Sequence, residues 1–351
     1  MTRIRVGTAV PYDVIVGDGV SAAAPAFVRE TLGKPRKVAL VTDTNVDALH
    51  GDAVAGGFAE AGFEVSRFVF PAGERSKTLS TYASLMDFLA AHRLDRSDVL
   101  AALGGGVVGD MAGFAAATYM RGIDFVQIPT SLLAMVDSSV GGKTGVDIAA
   151  GKNLVGAFHQ PRAVFCDMRF LATLPDGWRM DGMGEVLKYA VLGDEPLFAK
   201  LEADPHEKIG EMEIAACIDM KRNVVERDER EGGIRKLLNL GHTFAHVIEK
   251  LSGYSVSHGR TVATGIAMIS RYAAKSGQLA QTDAMRIEAL VAAMGYVSHP
   301  DFSPADLAEA ALGDKKVSGE HLDLVVPQAI GRCVVKRIPL ADMRKVAEDA
   351  R

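Results

Sequence analysis

Residues 103–153 read LGGGVVGDMAGFAAATYMRGIDFVQIPTSLLAMVDSSVGGKTGVDIAAGKN, and this stretch constrains the chain more than any other. Gly104, Gly105 and Gly106 follow the apolar run from Asp98 to Leu103 and precede a helix-like segment. A strand that feeds a helix through a glycine turn leaves amide N–H groups at the positive end of the helix dipole, which suits a phosphate. A second patch, from Val140 to Gly145, allows close backbone approach to a ligand and supplies Lys143, with Lys152 following. Neither patch matches the dinucleotide fingerprint GxGxxG or the P-loop GxxxxGK[ST]. The competing reading is that these glycines only make tight turns.

Around this stretch, residues 1 to about 165 alternate short β-rich runs with helical patterns. Ile4 to Val6 and Asp13 to Val16 read as an opening pair of strands, and Lys37 to Asp43 as a buried strand ending in an acidic residue. A helical stretch to about Ala61, a strand from Val65 to Phe70 and a helix from Leu79 to Ala91 follow. Such alternation predicts a Rossmann-like, largely parallel sheet covered by helices, with ligands at the carboxyl ends of its strands. Three segments lie just after such ends: Thr42-Asp43, Gly73 to Lys77, and Gly104 to Asp110. Glycine amides for a pyrophosphate and an acidic side chain for ribose hydroxyls together describe a nucleotide site. Asp43 alone would more often be a helix cap, and its register with the other two segments is what raises the nucleotide reading.

Beyond about residue 170 helical periodicity takes over, at 178–192, 206–228, 236–251 and 261–275 and again after Asp283, with a small hairpin at 322–338 and a closing helix from about Leu340. The chain's 351 residues therefore divide into an α/β nucleotide domain over 1–170 and a mostly helical domain over 171–351, with a cleft expected between them. A net charge of −5 argues against a nucleic-acid or membrane-surface binder. Three scattered cysteines without a CxxC pair, no signal-peptide core and no apolar run of about eighteen residues lead to the expectation of a cytoplasmic protein.

In the helical half, Leu240-Gly-His-Thr-Phe-Ala-His246 puts His242 and His246 at spacing i,i+4 on one helix face. Glu185 and Lys188 share another face, and His258 follows in Ser257-His-Gly259. One carboxylate and two or three neutral imidazoles make a ligand set for Zn²⁺ or Co²⁺ with positions left for substrate or water. A single histidine is more often a surface or core residue, and spacing leaves open whether His246 ligates, moves protons or contacts an anion. Cations crowd the region: Lys221, Arg222, Arg235, Lys236 and the Lys315-Lys316 pair. Most suit a solvated face, but Lys221, Arg235 and Asn239 suit a substrate with two anionic groups. Nucleotide, metal and cationic donors together describe an enzyme acting on a phosphorylated polyhydroxy compound.

These residues resemble the 3-dehydroquinate synthases, of the sugar-phosphate cyclase superfamily. The resemblance rests on GGGVVGDMAGFAAATYMRG at 104–122, IPTSLLAMVDSSVGGKTGVD at 128–147, GKNLVGAFHQP at 151–161, GEVLKY at 184–189 and REGGIRKLLNLGHTFAHVIE at 230–249, in the family's order. It implies that Glu185, His242 and His258 bind the metal, with His246 handling protons near the substrate phosphate. Lys143, Lys152, Asn153, Lys188, Lys221, Arg235 and Asn239 would hold the substrate's carboxylate, hydroxyls and phosphate, joined by Asp137 and one lysine of the 315–316 pair, taken as Lys315. Arg121 would reach into the neighbouring subunit's site in a homodimer. NAD would lie against Asp43, Glu74, Lys77, the run Gly105, Gly106, Val107, Val108, Gly109 and Asp110, then Thr130 and Ser131, and near Lys143 and Lys152.

The implied reaction is that of a carbon–oxygen lyase of the shikimate pathway, which leads to chorismate and the aromatic amino acids. It converts 3-deoxy-D-arabino-heptulosonate 7-phosphate to 3-dehydroquinate and phosphate by transient oxidation at carbon 5, elimination, reduction, ring opening and aldol closure, with NAD regenerated. Three positions depart from the family: Ser131 for a common threonine, Ala245 for a common glycine, and Arg260 where an acidic residue is frequent after His258-Gly259. The nearest rivals are cyclases making an inosose, a valiolone or an amino-dehydroquinate. Arg235 with Asn239 favours a substrate that carries a carboxylate, which the amino variant also has. An alcohol dehydrogenase would consume NAD stoichiometrically, and a catalytically silent NAD sensor would not need Glu185, His242, His258 and Lys188.

Overall fold

The computed structural model describes residues 1–32, 36–311, 317–318 and 320–351. It divides into two compact units: Met1–Arg179 with Gly210–Glu226, and Met180–Ile209 with Arg227–Arg351. The first is built on a seven-stranded sheet of order β1-β2-β9-β6-β5-β3-β4. Its strands are β1 (Thr2–Val6), β2 (Tyr12–Gly17), β3 (Lys37–Asp43), β4 (Glu64–Phe70), β5 (Val99–Gly104), β6 (Asp124–Pro129) and β9 (Ala163–Asp167). Only β1 with β2 is antiparallel; the other neighbours run parallel. The central strands are apolar on both faces, as a sheet covered by helices on both sides demands, and Val99 to Gly104 is buried throughout. The hairpin β7 (Lys143–Ile148) and β8 (Gly151–Phe158) forms a separate two-stranded sheet.

The strands and helices expected at 37–43, 65–70 and 79–91 appear at those places, to within a residue. In the second unit the hairpin is β11 (His321–Ala329) with β12 (Arg332–Pro339), and a two-residue β10 (Val317–Ser318) pairs with β11. Two expected helices differ. The stretch 206–228 is a helix only over Glu211–Arg227, preceded by a helix Glu195–Ala203 that starts on Asp194, whose side chain accepts from the Leu197 amide. The stretch 236–251 is a 3-10 turn, Ile234–Asn239, and then a helix starting at His242; Gly241, at φ 77°, makes the break.

Helix Glu211–Arg227 lies late in the sequence yet packs with the first unit. Glu211 accepts from the Thr2 hydroxyl at 2.6 Å, and Glu226 accepts from the Gly7 amide at 2.6 Å. Among the described residues no helix is long and apolar enough to cross a membrane.

Asp167, at the end of β9, ties the sheet to the turn after β2. Its carboxylate accepts from the Gly19 amide at 2.9 Å, the Ser21 hydroxyl at 2.6 Å and the Arg169 guanidinium at 2.9 Å. Burial alone would raise its pKa, but these hydrogen bonds hold it well below the usual carboxylate range. A folded pKa below the unfolded value contributes stability that is present above about pH 4 and lost as the pH falls through the folded value. Asp167→Asn is therefore expected to cost about 2 kcal/mol at pH 7 and to flatten the loss of stability towards pH 2. Urea unfolding at both pH values checks this, and an unchanged acid slope would refute it.

Candidate active site

In the first unit, four loops gather at the carboxyl edge of neighbouring parallel strands. They follow β4, β3, β5 and β6, which are consecutive in the sheet, and carry Glu74 and Lys77, Asp43, Gly105 to Asp110, and Thr130 with Ser131. Helix Gly106–Thr118 has no side-chain cap, and a Cβ on Gly105 would come within 3.3 Å of the Ser131 hydroxyl oxygen. Bare amides at a helix start in a space this close fit a pyrophosphate. Val108 is fully buried in the apolar core beneath the turn, so its side chain is not available to a ligand. Asp43 accepts from the amides of Asn45 and Val46, acting as the helix cap that the sequence also allowed.

Lys77 organises this edge. Its ammonium, almost wholly buried, lies 2.6 Å from Asp110 Oδ2 and donates to Asn153 Oδ1 at 2.5 Å. Burial pushes Asp110 and Glu74 upward against the attraction of Lys77. Burial would also discharge Lys77, but Asp110 and Glu74 raise it above its ordinary value. Asn153, in the left-handed region at φ 54°, is held by its amide on Asp147 Oδ1 at 2.7 Å. Lys152 Nζ stands 3.9 Å from Glu74, and Lys143 opens β7, exposed.

Asp137 lies on a π-helical turn, Ala134–Ser138, a distortion common at functional positions. Lys221 Nζ donates to the Asp137 carbonyl at 2.6 Å and meets its carboxylate at 3.0 Å. Lys221 thus belongs with Asp137 in the first unit, whereas Arg235 and Asn239 belong to the second. Arg121, at φ 68°, is exposed at the end of the turn Tyr119–Arg121.

In the second unit, Glu185, His242 and His258 each offer one ligand atom, all within 4.8 Å of one another. Glu185 Oε1 is 3.3 Å from His258 Nε2 and 3.8 Å from His242 Nε2, and Glu185 Oε2 is 2.5 Å from Lys188 Nζ. His242 Nδ1 lies 3.0 Å from the Leu240 carbonyl and His258 Nδ1 lies 3.1 Å from Glu249 Oε1. Those acceptors take Nδ1–H, which turns both Nε2 atoms toward one carboxylate oxygen. Burial would lower His258, but its hydrogen bonds to Glu185 and Glu249 push it up to about 10. One carboxylate and two imidazoles whose ligand atoms converge this closely make a donor set that fits Zn²⁺ or Co²⁺.

His246 stands beside this group, its ring 5.7 Å from that of His242. Asn239 donates to Glu231 at 3.0 Å, and Arg235, 1% exposed, donates to the Glu229 carbonyl. Lys315 and Lys316 fall outside the described residues. Glu249 was missed from the sequence, although its place seven residues after His242 puts it on the same helix face. Arg260, the unusual neighbour of His258, turns its guanidinium to Met180 Sδ, so Glu249 rather than residue 260 supports the imidazole.

Residues 67–179 match the family described as 3-dehydroquinate synthase N-terminal, and residues 182–317 match 3-dehydroquinate synthase C-terminal. The 3-dehydroquinate synthase of Caulobacter vibrioides is 48% identical over 256 residues, which cover 71% of this chain and 69% of that one. A 2-deoxy-scyllo-inosose synthase complexed with carbaglucose-6-phosphate, NAD⁺ and Co²⁺ superposes with a TM-score of 0.88 at 24% identity, covering 99% of both chains. The 2-epi-5-epi-valiolone synthase of Streptomyces hygroscopicus, with NAD⁺ and Zn²⁺ bound, gives 0.86 at 25% identity over 99% of both.

Proposed function

The chain belongs to the 3-dehydroquinate synthase family, and from that membership we propose that it converts 3-deoxy-D-arabino-heptulosonate 7-phosphate to 3-dehydroquinate and phosphate. The observation that carries the reading is the buried carboxylate with two imidazoles whose Nε2 atoms face one oxygen. The chemistry supplied by the bound groups is reversible oxidation of a ring hydroxyl by NAD, with polarisation of that oxygen by one divalent metal, Zn²⁺ or Co²⁺.

We assign NAD to the four loops of the first unit. Gly105 and Gly106 would give their amides to the pyrophosphate, while Asp43, Glu74, Lys77, Asp110, Thr130 and Ser131 would fix the remainder of the cofactor. Lys143, Lys152, Asn153, Asp137 and Lys221 are assigned to the substrate. In the second unit Glu185, His242 and His258 hold the metal, and Lys188, Arg235, Asn239 and His246 bind substrate oxygens. Arg235 supplies a guanidinium for the carboxylate, and His246 moves a proton near the phosphate. The work left to the protein is to orient the substrate and exclude competing geometries. We further assign a homodimer, with Arg121 serving the other copy's site, supported by its exposure, and a reducing, cytoplasmic setting, supported by the scattered, odd-numbered cysteines of the sequence.

Choice of substrate tests the reading. Phosphate release from the heptulosonate phosphate is expected to exceed that from a hexose 6-phosphate by at least about 100-fold in kcat/KM, because the latter leaves a carboxylate site unfilled. Arg235→Ala should abolish most of that preference. Equal or faster release from the hexose phosphate would overturn the assignment in favour of an inosose-forming cyclase.

A further inference from the structure

The feature that spaces the metal donors is not itself a donor. Helix His258–Lys275 begins at a proposed ligand, yet Ser257, at its N-cap position, makes no side-chain cap. The amides of Gly259 and Arg260 turn instead to Asp181 Oδ1, at 2.9 and 3.4 Å. Asp181 is 4% exposed and belongs to helix Asp176–Gly193, one turn before Glu185. The helix that starts with His258 is thus capped by the helix that carries Glu185.

The same two helices meet backbone to backbone. A Cβ on Gly259 would stand 1.8 Å from the Asp181 carbonyl oxygen, and one on Gly184 would stand 2.0 Å from the Gly259 carbonyl oxygen. With no side chain at the crossing to wedge the helices apart, their register depends on this contact and on the Asp181 cap. The Tyr296 hydroxyl donates to the Met180 carbonyl at 2.7 Å and steadies the residue before Asp181.

We propose that Asp181 is a positioning residue of the metal site: it fixes the first turn of helix His258–Lys275 so that His258 Nε2 stands 3.3 Å from Glu185 Oε1. It acts through backbone amides and sets the bite of the ligand set. The inference rests on Glu185, His242 and His258 being the ligands.

The test uses metal-free full-length protein titrated with Zn²⁺ against a chromophoric chelator, and with Co²⁺ while its visible d–d absorption is recorded. Asp181→Ala is expected to bind Zn²⁺ at least about 10-fold more weakly and to alter the Co²⁺ spectrum, with NAD affinity unchanged. Asp181→Asn keeps the accepting oxygen and should remain within about threefold of the parent. If the alanine variant does not fold, Asp181→Thr, with a shorter capping oxygen, carries the test and should bind Zn²⁺ at least about threefold more weakly.

Parental affinity and an unchanged Co²⁺ spectrum in the alanine variant, or in the threonine variant standing in for it, would overturn the proposal and leave Asp181 a cap for the fold alone. So would an asparagine variant as weak as the alanine one. If the parent itself takes up neither metal, the metal-site reading fails and this inference falls with it.

Discussion

Replacing Glu185 by glutamine is expected to lower kcat/KM by at least about 1,000-fold, equivalent to about 4 kcal/mol of lost stabilisation in the reacting complex. The amide keeps the carboxylate's shape, so the change removes one negative charge and one ligand's strength. It also leaves the Lys188 ammonium, 1% exposed, beside a neutral group where Glu185 Oε2 stood at 2.5 Å. Losing one partner of a buried pair costs about 3 kcal/mol of stability, so the variant must be shown to be folded. A cooperative denaturant unfolding transition provides that control, and NAD affinity is expected to be unchanged because the residues assigned to NAD belong to the first unit. The measurements are steady-state turnover, metal content after dialysis and NAD titration. Full activity at full metal content would remove Glu185 from the ligand set.

Lys77→Met is expected to have the second-largest effect, a loss of about 3 kcal/mol together with loss of NAD binding. The ammonium touches Asp110 and Asn153, and its removal strands a carboxylate that burial already pushes toward protonation. The double variant Lys77→Met with Asp110→Asn removes both charges and should recover most of the stability while NAD affinity stays lost. Denaturant unfolding and NAD titration of the two singles and the double complete the cycle. Strict additivity of the stability losses would show that the two side chains are not coupled.

The parallel sheet was legible because its central strands are apolar on both faces and end in glycine or acidic residues, as at Asp43 and Gly104. The candidate donors were legible only in part. GHTFAH fixes His242 and His246 at helical spacing but does not say which of them ligates. The set of Glu185, His242 and His258 that converges in the structure came from the family resemblance. What could not be read locally was long-range placement. Nothing within Glu211–Arg227 marks it as a partner of Thr2, Gly7 and Asp137, since its helical pattern is compatible with any apolar surface. Asp181 was equally hidden, because an acidic residue within a helix reads as a solvated side chain until the helix it caps is in place. Gly241 could have been read as a break, but the apolar pattern runs on through it from Leu237 to Phe244 and conceals the start of the helix at His242.

The most direct measurement of the central claim is the number of dehydroquinate and phosphate molecules formed per NAD by metal-loaded protein supplied with 3-deoxy-D-arabino-heptulosonate 7-phosphate. The predicted result is many turnovers for each NAD, equal yields of the two products, and no accumulation of NADH. NADH formed in step with substrate consumed, without phosphate release, would contradict the account and identify a dehydrogenase built on the same fold.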